Sequence, residues 1–398
     1  MDIRSVPMDS TPLASSVLSV SASRIRELAH IAFNMENVLK LYFGESDEQT
    51  PEYIKKAASQ ALEDGYTFYT ENAGLPSLRQ ALAEKYLELH KVNLDPTSEI
   101  VITASGVQAL NVAIRCAINP GDEALLLTPA WPNGSSIVQM CNGIPKQIPM
   151  VLKGRRYEID FDRLVSNLNS RTKILICTSP SNPLGWVASS SDQESILEFC
   201  RKHRLWLLID EVYERLYYEG NVAPSILRKC DRNDAVIVVQ SFSKSYCMTG
   251  WRLGWLVGRR DVASRASDLN EFVISHAPAM AQKAGEVALR EGEDILQRMV
   301  ERLRNNLSFC QKSLRDIPGI TLPETAGSFY LFPKIDGLTD SFGFCKDLLI
   351  KTKVGLAPGS AFGQGGEGSV RLCYAAKKEV LKEAIERISN YLEHWNNV

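Results

Sequence analysis

Lys244 is the residue whose type and surroundings most clearly indicate chemistry. Ser241 and Ser243 stand just before it, and Arg252 follows in the same short segment. A lysine amine can form a Schiff base with an aldehyde, and hydroxyl groups together with the permanently charged arginine fork can bind a phosphate. The segment therefore predicts an aldehyde cofactor that also carries a phosphate, which is pyridoxal phosphate. The alternative is a solvated lysine in a serine-rich loop.

Asp210 could supply the second chemical function that this cofactor needs. It ends the apolar run of residues 205–209, and Tyr213 follows on the next turn. A carboxylate there can face the pyridine nitrogen and keep it protonated, because a close opposite charge shifts a pKa by ~1–3 units. The protonated ring then accepts electrons from a substrate carbanion. The alternative is an aspartate that caps the following helix.

Two turns are predicted to contact the same cofactor. Residues 103–109 join a strand to a helix through Ser105 and Gly106, so free backbone N–H groups and the helix dipole would meet an anion there. Residues 179–185 contain two prolines and a glycine, and this rigid turn could aim the Asn182 amide, with the Tyr213 hydroxyl, at the ring oxygen. Either turn could also be a plain connection.

Three further side chains could contact the cofactor or the substrate. Trp131 directly follows a predicted strand and could stack on the cofactor ring, although ordinary packing is the alternative. Arg371 is a cation in an otherwise apolar strand, and a bidentate clamp on a substrate carboxylate would explain its burial, with a structural salt bridge as the alternative. The Tyr69 hydroxyl could bind the phosphate across a subunit boundary.

Short β-branched runs alternate with helical patterns through the middle of the chain, which predicts an α/β fold with a mainly parallel sheet covered by helices. The predicted strands are residues 100–103, 124–127, 173–177, 206–209, 235–240 and 253–257, and the predicted helices are residues 107–117, 193–202 and 261–290. Ligands in such sheets bind beyond the carboxyl ends of the strands. Ser105, Asp210 and Ser241 all follow strands there, so we expect them to converge on one crevice.

The pattern changes after about residue 292 and predicts a smaller α+β domain. Its predicted elements are helices over residues 295–314 and 378–395 and short strands around residues 328–332, 353–356 and 369–373. A chain of 398 residues also exceeds the length at which a single core usually stops growing. We expect a large domain over residues 46–292, a small domain over residues 293–398, and an N-terminal segment, residues 1–45, that packs on the small domain or on a partner subunit.

The composition excludes several other classes of partner. With 45 basic and 47 acidic residues the net charge is −2, so no bulk field attracts nucleic acid or a membrane surface. The nine cysteines show no metal-like spacing and indicate free thiols in a reducing compartment. The first dozen residues include Asp2 and Asp9 and no continuous apolar run, which argues against a targeting peptide. We expect a cytoplasmic protein.

From about residue 41 to Arg371, these segments together resemble the class I/II pyridoxal-phosphate aminotransferases of fold type I. The resemblance implies a seven-stranded sheet in the large domain and a homodimer with shared active sites. It implies that Lys244 carries the cofactor, that Asp210 pairs with the ring nitrogen, and that Arg371, beside Gly44, binds the substrate carboxylate. The remaining implied cofactor contacts are Ser105, Gly106, Val107, Trp131, Asn182, Tyr213, Ser241, Ser243, Arg252 and, from the other subunit, Tyr69.

Two departures from the family's pattern bear on the substrate. Val107 stands where several members that use aspartate or prephenate carry a lysine, which weighs against a dicarboxylic substrate. Gly134 stands where the family often has a tyrosine, which we expect to open space near the cofactor. Both favour a neutral or aromatic amino acid as the amino donor to a 2-oxo acid. The alternatives are a lyase of the same fold, which would use the same lysine, and a non-catalytic cofactor-binding regulator.

Overall fold

Seven strands form the central sheet of the computed structural model, which describes residues 13–395. Across the sheet they are, in order, Ile100–Thr103, Gly254–Gly258, Val236–Ser241, Trp206–Asp210, Thr172–Thr178, Glu123–Thr128 and Ile144–Pro149. Gly254–Gly258 is antiparallel to both of its neighbours, and the other six strands share one direction. The predicted mainly parallel seven-stranded sheet is therefore confirmed.

The inner strands are mostly buried because helices cover both faces of the sheet. All residues of Val236–Ser241 and of Glu123–Thr128 are buried, which is why these strands read as continuous apolar runs rather than alternating ones. The α-helices between residues 13 and 292 are Ser15–Leu18, Arg24–Phe33, Glu52–Glu63, Pro76–His90, Gly106–Ala117, Asn133–Met140, Phe161–Ser166, Ser190–His203, Phe242–Ser245, Arg260–Val273 and Ala279–Glu291.

Sequence patterns miss the strand Ile144–Pro149. It contains Pro145 and Pro149, which cannot donate backbone hydrogen bonds and which argue against a strand in the sheet interior. The strand lies at the edge of the sheet, and among the described residues it pairs only with Glu123–Thr128. Prolines are tolerated at that position because one side of an edge strand needs no partner.

The prediction of one helix over residues 261–290 is wrong. Two helices, Arg260–Val273 and Ala279–Glu291, occupy this stretch. Ser275 between them has a φ of 63°, which a right-handed helix cannot accommodate, and Pro278 is the N-cap of the second helix. Proline lacks the N–H that a continuous helix would require, so the chain restarts after it.

The C-terminal elements build a second apolar core. Helices Glu293–Arg315, Ser341–Thr352 and Lys378–Trp395 pack around short strands. The sequence predicts the first and the last of these helices and misses Ser341–Thr352. The strands outside the central sheet are Leu39–Lys40, Val151–Lys153, Arg156–Glu158, Ile320–Thr321, Tyr330–Leu331, Lys334–Ile335, Val354–Gly355, Ala357–Pro358 and Val370–Cys373.

The described part of the N-terminal segment contacts these C-terminal elements. Leu39–Lys40 pairs in parallel with Val354–Gly355, and helix Arg24–Phe33 contacts helix Ser341–Thr352. Residues 1–12, on which the expectation of no targeting peptide depends, lie outside the described residues. The domain boundaries at residues 45 and 292 stay predictions.

Within residues 13–395, no helix is both long and apolar enough to cross a membrane. The same residues contain no group of histidine, cysteine and acidic side chains that could hold a metal ion. All nine cysteines are free of disulfide bonds, as expected for free thiols.

Candidate active site

A cavity of about 540 Å³ opens at the carboxyl edge of the parallel strands. Thr178, Asp210 and Ser241 are the last residues of three strands and line it. The antiparallel strand begins at this edge, because Gly254 pairs with Ser241, so Arg252 lies there too. The sequence-predicted residues that line the cavity are Gly44, Gly106, Val107, Trp131, Asn182, Asp210, Tyr213, Ser241, Ser243, Lys244, Arg252 and Arg371.

Lys244 lies in the short helix Phe242–Ser245, whose N-cap is Ser241. Its Nζ donates to the carbonyl oxygen of Gly44 at 2.5 Å and lies 5.8 Å from the ring centroid of Tyr213. Burial lowers the pKa of this amine to about 8, and no salt bridge within residues 13–395 compensates its charge. The alternative of a solvated loop lysine is therefore wrong.

Asp210 ends the strand Trp206–Asp210, and its Oδ1 accepts a hydrogen bond from the Val212 N–H at 3.1 Å. Burial raises the pKa of the carboxyl to about 6, against the lowering effects of this hydrogen bond and of Lys244. Residues 212–215 form turns rather than a helix, so Asp210 is not a helix cap. The carboxylate is available to a cation inside the cavity.

At the turn of residues 104–106 the backbone packs closely against the backbone of Gly254 on the neighbouring strand. Ser105 caps helix Gly106–Ala117, with its Oγ accepting from the Gln108 N–H at 3.2 Å, and has a φ of 113°, a conformation rare for residues other than glycine. A Cβ added to Gly254 would lie 2.5 Å from the Gly106 nitrogen. This close packing leaves the first N–H groups of the helix at the cavity edge, where they can bind an anion. Ser105 itself is buried and does not line the cavity.

Ser241, Ser243 and Arg252 gather beside that helix start. The Ser241 Oγ donates to the Ser243 Oγ at 2.9 Å. Arg252 has a φ of 53°, is exposed, and donates from Nη1 to the Thr249 carbonyl at 2.5 Å. Arg252 forms no salt bridge with any of the described residues, so hydroxyl and guanidinium donors remain for an anionic group.

Arg371 is fully buried in the strand Val370–Cys373. Its Nη1 donates to the Asn182 Oδ1 at 2.8 Å and its Nη2 to the Tyr42 carbonyl at 2.6 Å, whereas its Nε has no hydrogen-bond partner within residues 13–395. No acidic side chain among the described residues forms a salt bridge with it, so the alternative of a structural ion pair is wrong. A buried charge normally requires a partner, and a guanidinium retains further N–H donors after two bonds.

Aromatic rings surround this arginine. Its guanidinium carbon lies 4.4 Å from the ring centroid of Tyr330, 4.9 Å from that of Phe362 and 5.7 Å from that of Trp131. The hydroxyl of Tyr330 lies 2.8 Å from the hydroxyl of Tyr213. Cation–π contacts of this kind partly offset the cost of burying the charge.

The expectation that Gly134 opens space near a cofactor is wrong. Gly134 is buried in helix Asn133–Met140, and a Cβ there would lie 3.1 Å from the Leu126 Cδ2 and 3.8 Å from the Ile176 Cγ2. Both neighbours belong to the apolar layer between helix and sheet. The missing side chain lets the helix pack closely on the sheet and does not enlarge the cavity.

Tyr69 does not reach the cavity within this chain. Its side chain is 88% exposed, and its ring contacts His276 edge-on at 5.7 Å between centroids. The neighbouring Phe68 is 80% exposed. The exposure of both rings leaves them accessible to a second subunit, as the expected contribution across a subunit boundary requires.

Sequence reasoning missed several residues that line the cavity. Their only signals are an adjacent motif, as for Glu45 after Gly44, or a strand end, as for Thr178. The missed residues are Arg26, Phe43, Glu45, Leu110, Asn133, Thr178, Val212, Thr249 and Tyr330.

The comparisons with known proteins agree over nearly the whole chain. A sequence profile described as aminotransferase class I and II matches residues 36–388. An aspartate aminotransferase of Pyrococcus horikoshii is 34% identical over 384 residues, which are 96% of this chain and 97% of the relative. The aromatic-amino-acid aminotransferase 2 of Thermococcus litoralis is 33% identical over 387 residues, which are 96% of this chain and 98% of the relative. The solved structure of an aromatic aminotransferase from Pyrococcus horikoshii OT3 matches with a TM-score of 0.86 at 32% identity, with 94% of this chain and 100% of that chain covered.

Proposed function

The chain belongs to the aminotransferase class I and II family, and we propose that it uses pyridoxal phosphate to move the amino group of an L-amino acid to a 2-oxo acid. One observation carries the proposal. Four ionisable side chains, Lys244, Asp210, Arg252 and Arg371, converge on one cavity, and none has a salt-bridge partner within residues 13–395. Since charges removed from water are normally compensated in proteins, the missing partners of Lys244, Asp210 and Arg371 are expected to come from ligands. Arg252 is exposed and offers its charge at the open side of the same cavity.

Pyridoxal phosphate suits these unpaired groups. Its phosphate would lie at the start of helix Gly106–Ala117, where N–H groups favour an anion. Asp210 would pair with the protonated ring nitrogen, whose charge would bring the raised pKa of this carboxyl down again. The other proposed contacts are Gly106, Val107, Ser241, Ser243 and Arg252 at the phosphate, Trp131 on the ring face, Asn182 and Tyr213 at the ring oxygen, and Tyr69 of a second subunit at the phosphate. Ser105, which does not line the cavity, would act by capping the helix start that holds the phosphate.

Lys244 would attach the cofactor and then move the substrate's proton. The bound cofactor supplies an electron sink for the pair that remains when the α-proton leaves. A general base works best when its pKa is near the operating pH, and burial lowers the pKa of Lys244 to about 8. With that pKa about one tenth of the amine is uncharged at pH 7, and the uncharged form can accept a proton.

Arg371 and Gly44 would orient the substrate. The free N–H donors of Arg371 can hold the α-carboxylate, and the aromatic rings around it exclude water from the contact. Holding the carboxylate fixes the α-carbon relative to Lys244, and such positioning supplies a large part of catalysis.

The proposed amino donor is a neutral or aromatic amino acid. Val107, which is 46% exposed and lines the cavity, places no positive charge where a second carboxylate would need one. Phe43, Leu110 and Trp131 add apolar surface to the same cavity. The relatives are named for aspartate and for aromatic amino acids, so they do not decide between the two classes of amino donor. The proposal of a neutral or aromatic donor therefore rests on the residues that line the cavity.

An assay of amino transfer tests the proposal. Purified protein with pyridoxal phosphate receives L-tyrosine, L-alanine or L-aspartate together with 2-oxoglutarate, and glutamate is measured. We expect glutamate to form, fastest from L-tyrosine, and Lys244→Ala to fold but to form none. Pyruvate and ammonia released without amino transfer from an S-conjugate of L-cysteine, whose β-carbon carries a thiolate leaving group, would favour the lyase instead.

The assembly and location are proposed as well. The exposed Tyr69 and Phe68 support a homodimer in which each subunit completes the other's cavity. The nine free cysteines support a reducing compartment such as the cytoplasm.

A further inference from the structure

Tyr330 contacts two of the proposed functional side chains at once. Its hydroxyl oxygen lies 2.8 Å from that of Tyr213, and its ring centroid lies 4.4 Å from the guanidinium carbon of Arg371. The side chain is fully buried. We propose that Tyr330 is a positioning residue that orients the Tyr213 hydroxyl toward the cofactor and holds Arg371 against the substrate carboxylate. The inference rests on the proposed function of Tyr213 and Arg371.

The hydroxyl pair has a preferred direction once an acceptor enters the cavity. Burial raises the pKa of both tyrosines above the usual range, so both hydroxyls keep their proton at neutral pH. Each hydroxyl has only the other as a hydrogen-bond partner within residues 13–395. If Tyr330 donates to Tyr213, the proton of Tyr213 is free to point at an oxygen in the cavity. Tyr330 thereby selects the orientation in which Tyr213 donates.

The ring of Tyr330 has a separate task. Arg371 donates to Asn182 and to the Tyr42 carbonyl on one side, and the negative face of the Tyr330 ring lies on another. The ring therefore limits where a buried guanidinium without a counter-charge can move. This second task needs the ring and does not need the hydroxyl.

Gly44 explains how the hydroxyl of Tyr330 fits. A Cβ on residue 44 would lie 2.2 Å from the Tyr330 hydroxyl oxygen, so only glycine leaves that hydroxyl in place. The carbonyl of Gly44 also accepts the hydrogen bond from Lys244 at 2.5 Å. Tyr330 therefore packs against the same short segment that contacts the reactive amine.

Two substitutions separate the two tasks. Tyr330→Phe deletes the hydroxyl and keeps the ring, whereas Tyr330→Leu removes both. The holoprotein is titrated with pH to obtain the pKa of its visible cofactor band, and the Kd of 3-phenylpropionate, a carboxylate without an amino group, is measured separately. We expect Tyr330→Phe to shift the spectral pKa by about half a unit or more and to leave the Kd within about twofold. Tyr330→Leu should change both, with the Kd weakened by about tenfold or more.

A double-mutant cycle tests whether the hydroxyl acts through Tyr213. In a Tyr213→Phe background, adding Tyr330→Phe should shift the spectral pKa no further, because the Tyr213 hydroxyl through which Tyr330 acts is already absent. Tyr374→Phe is the matched control: Tyr374 is also fully buried, and its hydroxyl bonds Tyr218 and the Ser328 carbonyl away from the cavity. It should leave both measurements unchanged.

The outcomes that overturn the inference are distinct. Additive spectral shifts in the cycle, or a Tyr330→Phe variant with the wild-type spectral pKa, contradict the hydroxyl's role. A Tyr330→Leu variant that folds and keeps the wild-type Kd for 3-phenylpropionate contradicts the ring's role. A wild-type protein that shows no cofactor band overturns the proposed function as well.

Discussion

The two arginines of the cavity lie in opposite surroundings. Arg371 is fully buried against Tyr330 and Phe362, whereas Arg252 is exposed and has a left-handed backbone conformation. Neither has a salt-bridge partner in the described residues. The chain thus builds a closed, aromatic-lined end around one cation and leaves the other end open to a larger anion.

The difference has an energetic consequence. Water can solvate the exposed Arg252 when no ligand is bound, so its charge costs little. Water does not reach the buried Arg371 in the same way, and an uncompensated buried charge is costly. The ligand that binds at the closed end therefore gains more from its arginine than the ligand at the open end.

The largest expected effect is at the closed end. Arg371→Leu should lower kcat/KM for L-amino acids by ~10²-fold or more, because losing one partner of a buried charge pair costs about 2–5 kcal/mol. Cofactor affinity should stay near that of the wild type. Steady-state kinetics and a cofactor titration check this, and Arg371→Lys is the matched control that keeps the charge.

Stability offers an independent check on the same residue. Removing a buried cation that has no counter-charge should leave the unfolding midpoint of the cofactor-free protein unchanged or higher. A clear fall in that midpoint would indicate that Arg371 stabilises the fold. It would contradict the claim that the unliganded charge at the closed end is costly.

At the open end, Arg252→Leu should weaken pyridoxal phosphate binding by about ten- to a hundredfold, since hydrogen bonds to charged groups contribute about 1.5–3 kcal/mol. Once the variant is saturated with cofactor, KM for the amino acid should be close to the wild-type value. Equilibrium titration of the cofactor-free protein measures the first quantity. An increase in the KM for the amino acid with unchanged cofactor affinity would show that Arg252 binds the substrate rather than the cofactor phosphate, and would contradict this assignment.

Lys244, between the two ends, predicts a pH dependence. Burial lowers its pKa to about 8, so the reactive uncharged amine increases with pH and levels off above that value. In cofactor-free protein, attachment of pyridoxal phosphate should slow about tenfold for each pH unit below the pKa. Stopped-flow absorbance measures the rate, with Nα-acetyl-lysine as the reference. A rate that keeps rising to pH 10 would show that the pKa of Lys244 is not lowered.

The smallest effect is expected for the residue that this chain does not bring to its own cavity. Tyr69→Phe should weaken cofactor binding by about fivefold, because a single neutral hydrogen bond contributes about 1 kcal/mol. Tyr217→Phe removes a hydroxyl elsewhere and is the matched control. The Tyr69 effect should disappear in protein that is diluted to monomers, and its persistence there would argue against a shared site.

Sequence patterns predict the sheet well because its inner strands are continuous apolar runs, buried on both faces. They fail for Ile144–Pro149, whose prolines are compatible only with an edge strand, and at Ser275, where a turn interrupts a helical pattern. The motif residues at strand ends could be predicted since parallel strands end at one edge. Tyr330 lies in a strand that the sequence predicts, but its role could not be predicted, because its partner Tyr213 is 117 positions away.

The central claim is that Lys244 carries the cofactor, and peptide mass analysis tests it most directly. The holoprotein is reduced with borohydride, which makes the bond between amine and cofactor permanent, and is then digested. We predict one peptide with the added cofactor mass, with the modification on Lys244, and none from Lys244→Ala. A protein that transfers amino groups but carries the modification on another lysine would contradict the account.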